Sequence, residues 1–170
     1  MHIKWGRAEW KNAALTALAT ALCYWITLAL GLRAGYWALI TCIVVMQSEV
    51  GATLLASRDR LIGTAIGALT GWAAELAWRG PHAGVEVIVL SAAVCIAIAI
   101  CNILHLASAG RLAGVTVVIV FLLHGLEPAW STALSRFFEV SLGVLVALGT
   151  TAVFYPRTLL SESLKLAVKE

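Results

Sequence analysis

Charged residues interrupt an otherwise apolar sequence at one place in its first half. The stretch MQSEVGATLLASRDRLIGTAIG, residues 46–67, holds four charges within twelve residues, namely Glu49, Arg58, Asp59 and Arg60. An arginine guanidinium is always charged in proteins and presents a fork of N–H donors that fits a carboxylate. The cluster therefore has two interpretations, a loop that leaves the membrane or a place where the protein handles something polar.

Composition places the chain among integral membrane proteins. Hydrophobic residues make up 61% of the sequence and charged residues only 12%, and the mean hydropathy is +0.93. A soluble domain of 170 residues has too much surface to be covered by so few charges. The net charge of +3 gives no argument for nucleic acid, so we expect the lipid bilayer as the surroundings and no nucleic-acid partner.

Six apolar segments predict six transmembrane helices. They cover residues 13–32, 34–48, 61–78, 87–104, 112–126 and 140–156. The second and fifth hold fifteen residues each, and fifteen helical residues fall short of a hydrocarbon core of about 30 Å. These two segments must therefore be broken or must borrow neighbouring residues.

A repeat relates the two halves of the chain. The segment RLIGTAIGALTG from Arg60 resembles RFFEVSLGVLVALG from Arg136 at an offset of 76 residues, which also aligns Gly67 with Gly143. Each copy follows one of the short segments, so the sequence predicts three helices that occur twice. Because three crossings reverse the direction of the chain, the second copy is expected to be inverted in the membrane.

The predicted fold is thus an all-α membrane protein of six helices in two inverted three-helix repeats. Its expected parts are an interfacial N-terminal segment (1–12), a six-helix domain (13–156, with repeats at about 13–78 and 84–156) and a cytoplasmic amphipathic tail (157–170). No separate soluble domain is expected, because crossing the membrane uses almost the whole length.

The distribution of Lys and Arg predicts the orientation. With the N-terminus inside, three basic residues fall on the outer side, Arg33, Arg79 and Arg136. The other nine fall on the inner side: Lys4, Arg7, Lys11, Arg58, Arg60, Arg111, Arg157, Lys165 and Lys169. We therefore expect both termini in the cytoplasm of a cell whose plasma membrane, or bacterial inner membrane, holds the protein.

Small residues form a stripe on the third helix and another on the sixth. Gly63, Gly67 and Gly71 recur every four residues, and Gly143 begins the matching row on the sixth helix. Such rows let another helix backbone approach closely. Helix packing is the simpler interpretation of both stripes.

The two short segments end at matching places, one at QSEVGAT and the other at HGLEPAW. Paired breaks of this kind indicate a transport site, because broken helices expose backbone groups and helix ends to a ligand. We predict an anion pathway with Arg60 at its inner mouth and Arg136 at its outer mouth. Further candidates for contact with the anion are Gln47, Glu49, Thr53 and Arg58.

Each arginine also has a simpler interpretation. Arg60 could be an anchor at the inner membrane surface, and Arg136 could form an ion pair with Glu139, three residues further on. Proton coupling would need a titratable group at depth, for which the candidates are Glu75, Glu139 and His124. Glu75 has the alternative interpretation of a solvated residue beside the outer loop.

Catalysis is not expected. The sequence has no His-Glu-x-x-His and no Gly-x-Ser-x-Gly motif, and Asp59 is its only aspartate. Its four cysteines lie within the apolar segments and show no spacing typical of metal ligands. We therefore expect no enzyme activity, no metal and no cofactor.

Two stretches resemble known transporter families. Residues 36–71, YWALITCIVVMQSEVGATLLASRDRLIGTAIGALTG, resemble the signature of the fusaric acid resistance and aromatic acid exporter families. They are also similar to plant aluminium-activated malate transporters, through YWAL, VGATL and Arg60-x-x-Gly63-Thr64. Residues 136–156, RFFEVSLGVLVALGTTAVFYP, resemble the closing segment of the bacterial families. The resemblance implies a channel or exporter for organic anions, aromatic or dicarboxylic.

The chain departs from these families in ways that affect the expected assembly. Larger bacterial members carry soluble regions and a second membrane half, so the resemblance implies a homodimer of twelve helices or a different partner subunit. Plant members commonly have an acidic residue at the place of Gln47 and a basic one at the place of Ala56. The alternative function is a non-transporting scaffold or an accessory half-subunit of a larger efflux complex.

Overall fold

The structure is a computed structural model that describes residues 7–32, 34–78, 83–123 and 128–155, together with 158 and 161. These residues form six helices and no strand. The helices are α1 (Arg7–Ala29), α2 (Tyr36–Val45), α3 (Val50–Ala77), α4 (Ala83–Ile103), α5 (Ala107–Leu122) and α6 (Ala129–Phe154). The prediction of an all-helical chain with six helices is confirmed for the described part.

Three helices are long and apolar enough to cross a membrane: Trp10–Ala29 in α1, Gly84–Ile103 in α4 and Ala129–Phe154 in α6. As predicted, the second and fifth helices are short, with 10 and 16 residues. Helix α3 has 28 residues, which is about 42 Å at 1.5 Å per residue. Its length would span a bilayer, but it carries four charged side chains, Arg58, Asp59, Arg60 and Glu75.

The charged stretch is helical from Val50 onward, so its interpretation as a loop is wrong for Arg58, Asp59 and Arg60, and only Glu49 lies outside the helix. Helix α3 begins at Val50, eleven residues before the predicted start at Leu61, and α6 likewise begins at Ala129 rather than at Val140. An apolar segment ends at the first charge, whereas the backbone hydrogen bonds of a helix continue past a charged side chain. Arg60 and Arg136 therefore both lie inside helices.

A short break separates α2 from α3. Helix α2 ends at Val45 with Met46 extended, and α3 begins at Val50. The side chain of Thr53 stabilises the break, because its hydroxyl oxygen accepts a hydrogen bond from the backbone N–H of Gln47 at 3.1 Å. The break predicted in QSEVGAT is thus present at residues 46–49. Most of the second predicted break, HGLEPAW, lies at 124–127, outside the described residues.

Two of the connections between helices, the one after α1 and the one after α4, use the same backbone motif. Gly31 after α1 and His105 after α4 both adopt the left-handed conformation, with φ of +63° and +57°. In each turn the next amide donates to the carbonyl five residues earlier, Leu32 to Thr27 and Leu106 to Cys101. These are Schellman helix ends, in which a glycine is the preferred left-handed residue.

His105 is the residue that strains its turn. A side chain in the left-handed conformation costs roughly 1–2 kcal/mol. A glycine removes this cost, but its greater flexibility in the unfolded chain cancels part of the gain. We expect His105→Gly to raise the free energy of unfolding by about 0.5–1 kcal/mol. Thermal unfolding of the purified protein measures this, with Asn102→Gly as a control that should destabilise α4. A loss of stability in His105→Gly would show that its imidazole makes a stabilising contact.

The helices form two compact units. The first contains residues Met1–Arg58 and Ser141–Glu170, and the second contains Asp59–Val140. In the first unit α2 packs against the later part of α6. A methyl group at Gly143 would overlap the carbonyl oxygen of Ala38 and lie 2.9 Å from Cβ of Thr41. Further along, the hydroxyl of Thr151 contacts the sulfur of Met46 at 3.6 Å, so the two helices run in the same direction.

In the second unit α5 packs against α4 on one side and against α3 on another. The contact with α4 is apolar and includes the buried residues Ala93, Ala97, Cys101, Ala109, Ala113, Val117 and Phe121. The contact with α3 follows the glycine stripe. A methyl group at Gly67 would overlap the carbonyl oxygen of Ala113 and lie 2.7 Å from Cβ of Thr116. Gly63 lies against Ala109 in the same way, at 2.6 Å from its carbonyl oxygen to the added methyl.

Candidate functional site

Arg60 is a buried cation on α3. It lies ten residues after the start of the helix, which is about 15 Å along the axis. Its exposed fraction is 7%. The hydroxyl of Thr64 donates a hydrogen bond to the backbone carbonyl of Arg60 at 2.7 Å, and this bond does not involve the guanidinium. The position is therefore well inside the helix and not at its end.

No carboxylate pairs with the Arg60 guanidinium within the part of the chain that the structure describes. Its Nε atom is buried and has no hydrogen-bond partner there. Buried charges in proteins are normally paired or hydrogen-bonded, because desolvation of a lone ion is expensive. The arginine therefore presents a positive charge that a ligand could neutralise.

The neighbouring Asp59 is already engaged elsewhere. Its carboxylate accepts a hydrogen bond from the hydroxyl of Ser108 in the first turn of α5. A carboxylate at that place also opposes the partial positive charge of the helix N-terminus. Asp59 thus joins α3 to α5, which explains why it does not serve as the counter-ion of the arginine that follows it.

Arg136 differs from Arg60, although the repeat aligns them. Its Nη1 atom lies 3.0 Å from Oε2 of Glu139, and both side chains are almost fully buried. The ion pair between residues three apart, which the sequence suggested as the simpler interpretation, is therefore present. A charge at Arg136 is balanced within its own helix, whereas the charge at Arg60 is not.

The remaining coupling candidates have different surroundings. Glu75 is only 7% exposed, so its interpretation as a solvated residue beside the outer loop is wrong. It lies on the buried face of α3, one turn beyond Gly71, and it has an interaction partner. His124 falls outside the described residues.

Three of the predicted contact residues meet at a cavity in the first unit. Gln47, Glu49 and Thr53 line a cavity of about 530 Å³ at the break between α2 and α3. The other residues that line it are Lys11, Asn12, Leu15, Met46, Ser48, Val50, Gly51, Thr151, Tyr155 and Thr158. Arg58 does not line this cavity; it is exposed on α3 and has an interaction partner.

Sequence reasoning missed the residues that α1 and α6 contribute to this cavity. Lys11 and Asn12 come from the start of α1, and Thr151 and Tyr155 come from the end of α6. The amide of Asn12 donates to the hydroxyl of Ser48 at 3.5 Å, which joins α1 to the break. No motif or spacing connects the α1 residues with the α6 residues, because Asn12 and Thr151 lie 139 residues apart along the chain (151 − 12).

A second cavity, in the second unit, has a different chemistry. It measures about 540 Å³ and is lined by aromatic, leucine and alanine side chains: Ala65, Ala68, Leu69, Trp72, Trp130, Ala133, Leu134 and Phe137. None of these residues is charged, so this cavity offers no partner for an anion. In the described part of the chain, no three His, Cys, Asp or Glu side chains are grouped as metal ligands would be.

These features define the class of the protein. Three helices that can cross a membrane, close small-residue contacts between helices and buried charges inside them describe a helical membrane protein. The sequence model of the family described as fusaric acid resistance protein-like matches residues 21–149.

The match covers most of the chain and includes both arginines and both glycine contacts. The chain therefore belongs to the fusaric acid resistance protein-like family, which gives it a role in membrane transport or efflux. This match does not show the similarity to plant aluminium-activated malate transporters that the sequence suggested. Comparisons with curated proteins and with solved structures find no match.

Proposed function

We propose that this protein moves organic anions, either aromatic or dicarboxylic, across a plasma membrane or bacterial inner membrane. Arg60 is the cation that binds the anion on its way. The family supports transport, and one observation supports the charge of the cargo. That observation is the buried Arg60 guanidinium, which has no carboxylate partner among the described residues.

The energetics favour an anionic ligand at this place. A charge at mid-bilayer costs at least about 2.5–3.5 kcal/mol on insertion scales, and polar residues inside membrane helices usually mark a pathway. A carboxylate ligand would repay part of this cost, because a guanidinium binds it through two parallel hydrogen bonds. A binding site of this kind has to release its ligand again, which a single arginine permits better than a closed cluster of cations.

The helix contacts support two inverted repeats, and the distribution of Lys and Arg supports both termini on the cytoplasmic side. Gly67 of α3 packs on Ala113 and Thr116 of α5, and Gly143 of α6 packs on Ala38 and Thr41 of α2. The third helix of each repeat therefore contacts the second helix of the other repeat in the same manner. In this arrangement Arg60 serves the inner mouth of the pathway and Arg136 serves the outer mouth.

Glu139 is the proposed coupling residue. Its carboxylate holds Arg136 in an ion pair, so protonation of Glu139 would weaken that pair and favour the binding of a cargo anion at Arg136. Binding of a proton and binding of the anion would then occur together at the outer mouth. This would couple the transport of the anion to the transport of the proton. The homodimer implied by the family resemblance would provide twelve helices around such pathways.

We expect Glu139→Gln to abolish the dependence of flux on a pH gradient. The amide is uncharged at every pH, so the contact between residue 139 and Arg136 would no longer change with pH. The measurement compares flux with and without a pH gradient in the variant and in the wild type. Glu86→Gln, on the less buried first turn of α4, is the matched control. A variant that keeps the full response to the gradient would exclude Glu139 as the coupling residue.

The test of the proposed function is flux through the purified protein in proteoliposomes. Malate and an aromatic carboxylate such as benzoate are the two cargo anions, each measured with and without a pH gradient and with a membrane potential imposed. Current without a pH gradient would show a channel, and flux that requires the gradient would show a proton-coupled exporter. No flux from a well-folded protein would favour the accessory half-subunit instead.

A further inference from the structure

We propose that the cavity at the break between α2 and α3 is a separate binding site for a zwitterion of the α-amino acid type with an apolar side chain. The site lies wholly within the first unit and does not include Arg60. Its binding chemistry therefore does not depend on whether the protein conducts anions.

The cavity carries two opposite charges that do not neutralise each other. Lys11 and Glu49 both line it, and both side chains are exposed. Neither takes part in an ion pair with any residue that the structure describes. A ligand that bears a carboxylate and an ammonium can pair with both, whereas a simple anion would meet the like charge of Glu49.

The backbone at the break reinforces this polarity. Val50 and Gly51, the first residues of the 28-residue helix α3, line the cavity, and a helix N-terminus favours a carboxylate. The end of α2 lies on the other side of the break, where the carbonyl of Val44 accepts a hydrogen bond from the Gln47 side chain. A helix C-terminus carries partial negative charge and favours an ammonium.

The remaining lining is suited to the body of such a ligand. Leu15 and Met46 give the cavity an apolar part, and Ser48, Thr151 and Tyr155 supply hydroxyl groups. A volume of about 530 Å³ lies in the range of small-molecule sites, which are mostly apolar with a few placed polar groups. An amino acid such as leucine fits this combination of two charges and one apolar group.

The first experiment compares three ligands on the full chain in nanodiscs by calorimetry: L-leucine, N-acetyl-L-leucine and L-leucinamide. The acetyl derivative lacks the ammonium and the amide derivative lacks the carboxylate. The protein carries Arg60→Gln, so that an anion bound at that arginine does not contribute. We expect leucine to bind at least about tenfold more tightly than either derivative, since each charge-assisted contact is worth roughly a factor of ten or more.

Two variants then assign the charges. Glu49→Gln should weaken leucine binding about tenfold, because the ammonium contact is lost, and should not weaken the binding of N-acetyl-leucine, because that anion loses only a repelling like charge. Lys11→Gln should weaken leucine binding and should not weaken the binding of the cation leucinamide, for the same reason. Glu86→Gln and Arg111→Gln, which change charges outside the cavity, are the matched controls.

Two results would overturn the proposal. The first is equal affinity for leucine and N-acetyl-leucine, which would mean that the ammonium is not recognised. The second is the absence of binding by all three ligands in a protein whose thermal unfolding is normal. The comparison of ligands needs no variant in the cavity, so it remains decisive even if a cavity variant fails to fold.

Discussion

Replacing Arg60 by glutamine reduces the flux of malate or benzoate at least about tenfold, because it removes a charge-assisted contact worth roughly 1.5–3 kcal/mol. The same substitution leaves the thermal stability unchanged or raises it. The reason is that the guanidinium is desolvated without a counter-ion among the described residues, so the neutral side chain avoids a cost that no contact offsets. Lower flux together with undiminished stability distinguishes a ligand-binding arginine from a structural one.

Two further variants sharpen this result. Arg60→Lys keeps the charge but lacks the planar fork of donors, so its flux should lie between those of the wild type and Arg60→Gln. Arg111→Gln removes an exposed arginine from the second turn of α5 and should leave flux unchanged. Flux that is unaffected by Arg60→Gln would contradict the proposed pathway. A marked loss of stability in that variant would instead point to a partner that holds the fold together.

Replacing Gly67 by alanine lowers the free energy of unfolding by about 1–3 kcal/mol, the usual cost of overpacking. The added methyl would overlap the carbonyl oxygen of Ala113, which is a backbone atom that cannot rotate away. Helices α3 and α5 would have to separate along their whole contact. Gly143→Ala should have a similar effect in the first unit, because its methyl would overlap the carbonyl oxygen of Ala38.

Helix α6 offers a control within a few residues. Gly149 is also helical, but a methyl built there has no neighbour within 4 Å. Gly149→Ala should therefore raise stability by about 0.5–1 kcal/mol through helix propensity alone. Thermal unfolding in detergent, followed by circular dichroism, compares the three variants with the wild type. Equal stability of Gly67→Ala and Gly149→Ala would mean that α3 and α5 are not in close contact.

The extent of the helices was only partly predictable from the sequence. The number of helices and the short second and fifth helices followed from the apolar segments, since length and hydropathy are local properties. The apolar segments place the starts of α3 and α6 eleven residues too late, because each segment begins only after the last charge. Arg60 and Arg136 instead lie on the buried faces of continuous helices, a placement that hydropathy averaged over all faces does not show.

The candidate site was predictable to a smaller degree. Gln47, Glu49 and Thr53 were chosen because they surround a helix break, and they do line one cavity. Lys11 on α1 and Thr151 on α6 were not foreseen, since nothing local marks a residue whose role depends on a distant helix. The sequence also does not show that Arg136 is paired with Glu139 while Arg60 has no carboxylate partner among the described residues. The repeat aligns the two arginines and therefore suggests similar surroundings for both.

The sequence by itself determined that this is a helical membrane protein of the fusaric acid resistance protein-like family, with small-residue stripes on its third and sixth helices. Composition and helical spacing suffice for the helices and the stripes, because they act within one segment at a time, and the family follows from the match over residues 21–149. Only the tertiary structure decided which helix fills each stripe. Ala38 with Thr41 and Ala113 with Thr116 offer the same residue types to a glycine, so the sequence does not tell which short helix meets which stripe. The packing within each unit places α5 against Gly67 and α2 against Gly143.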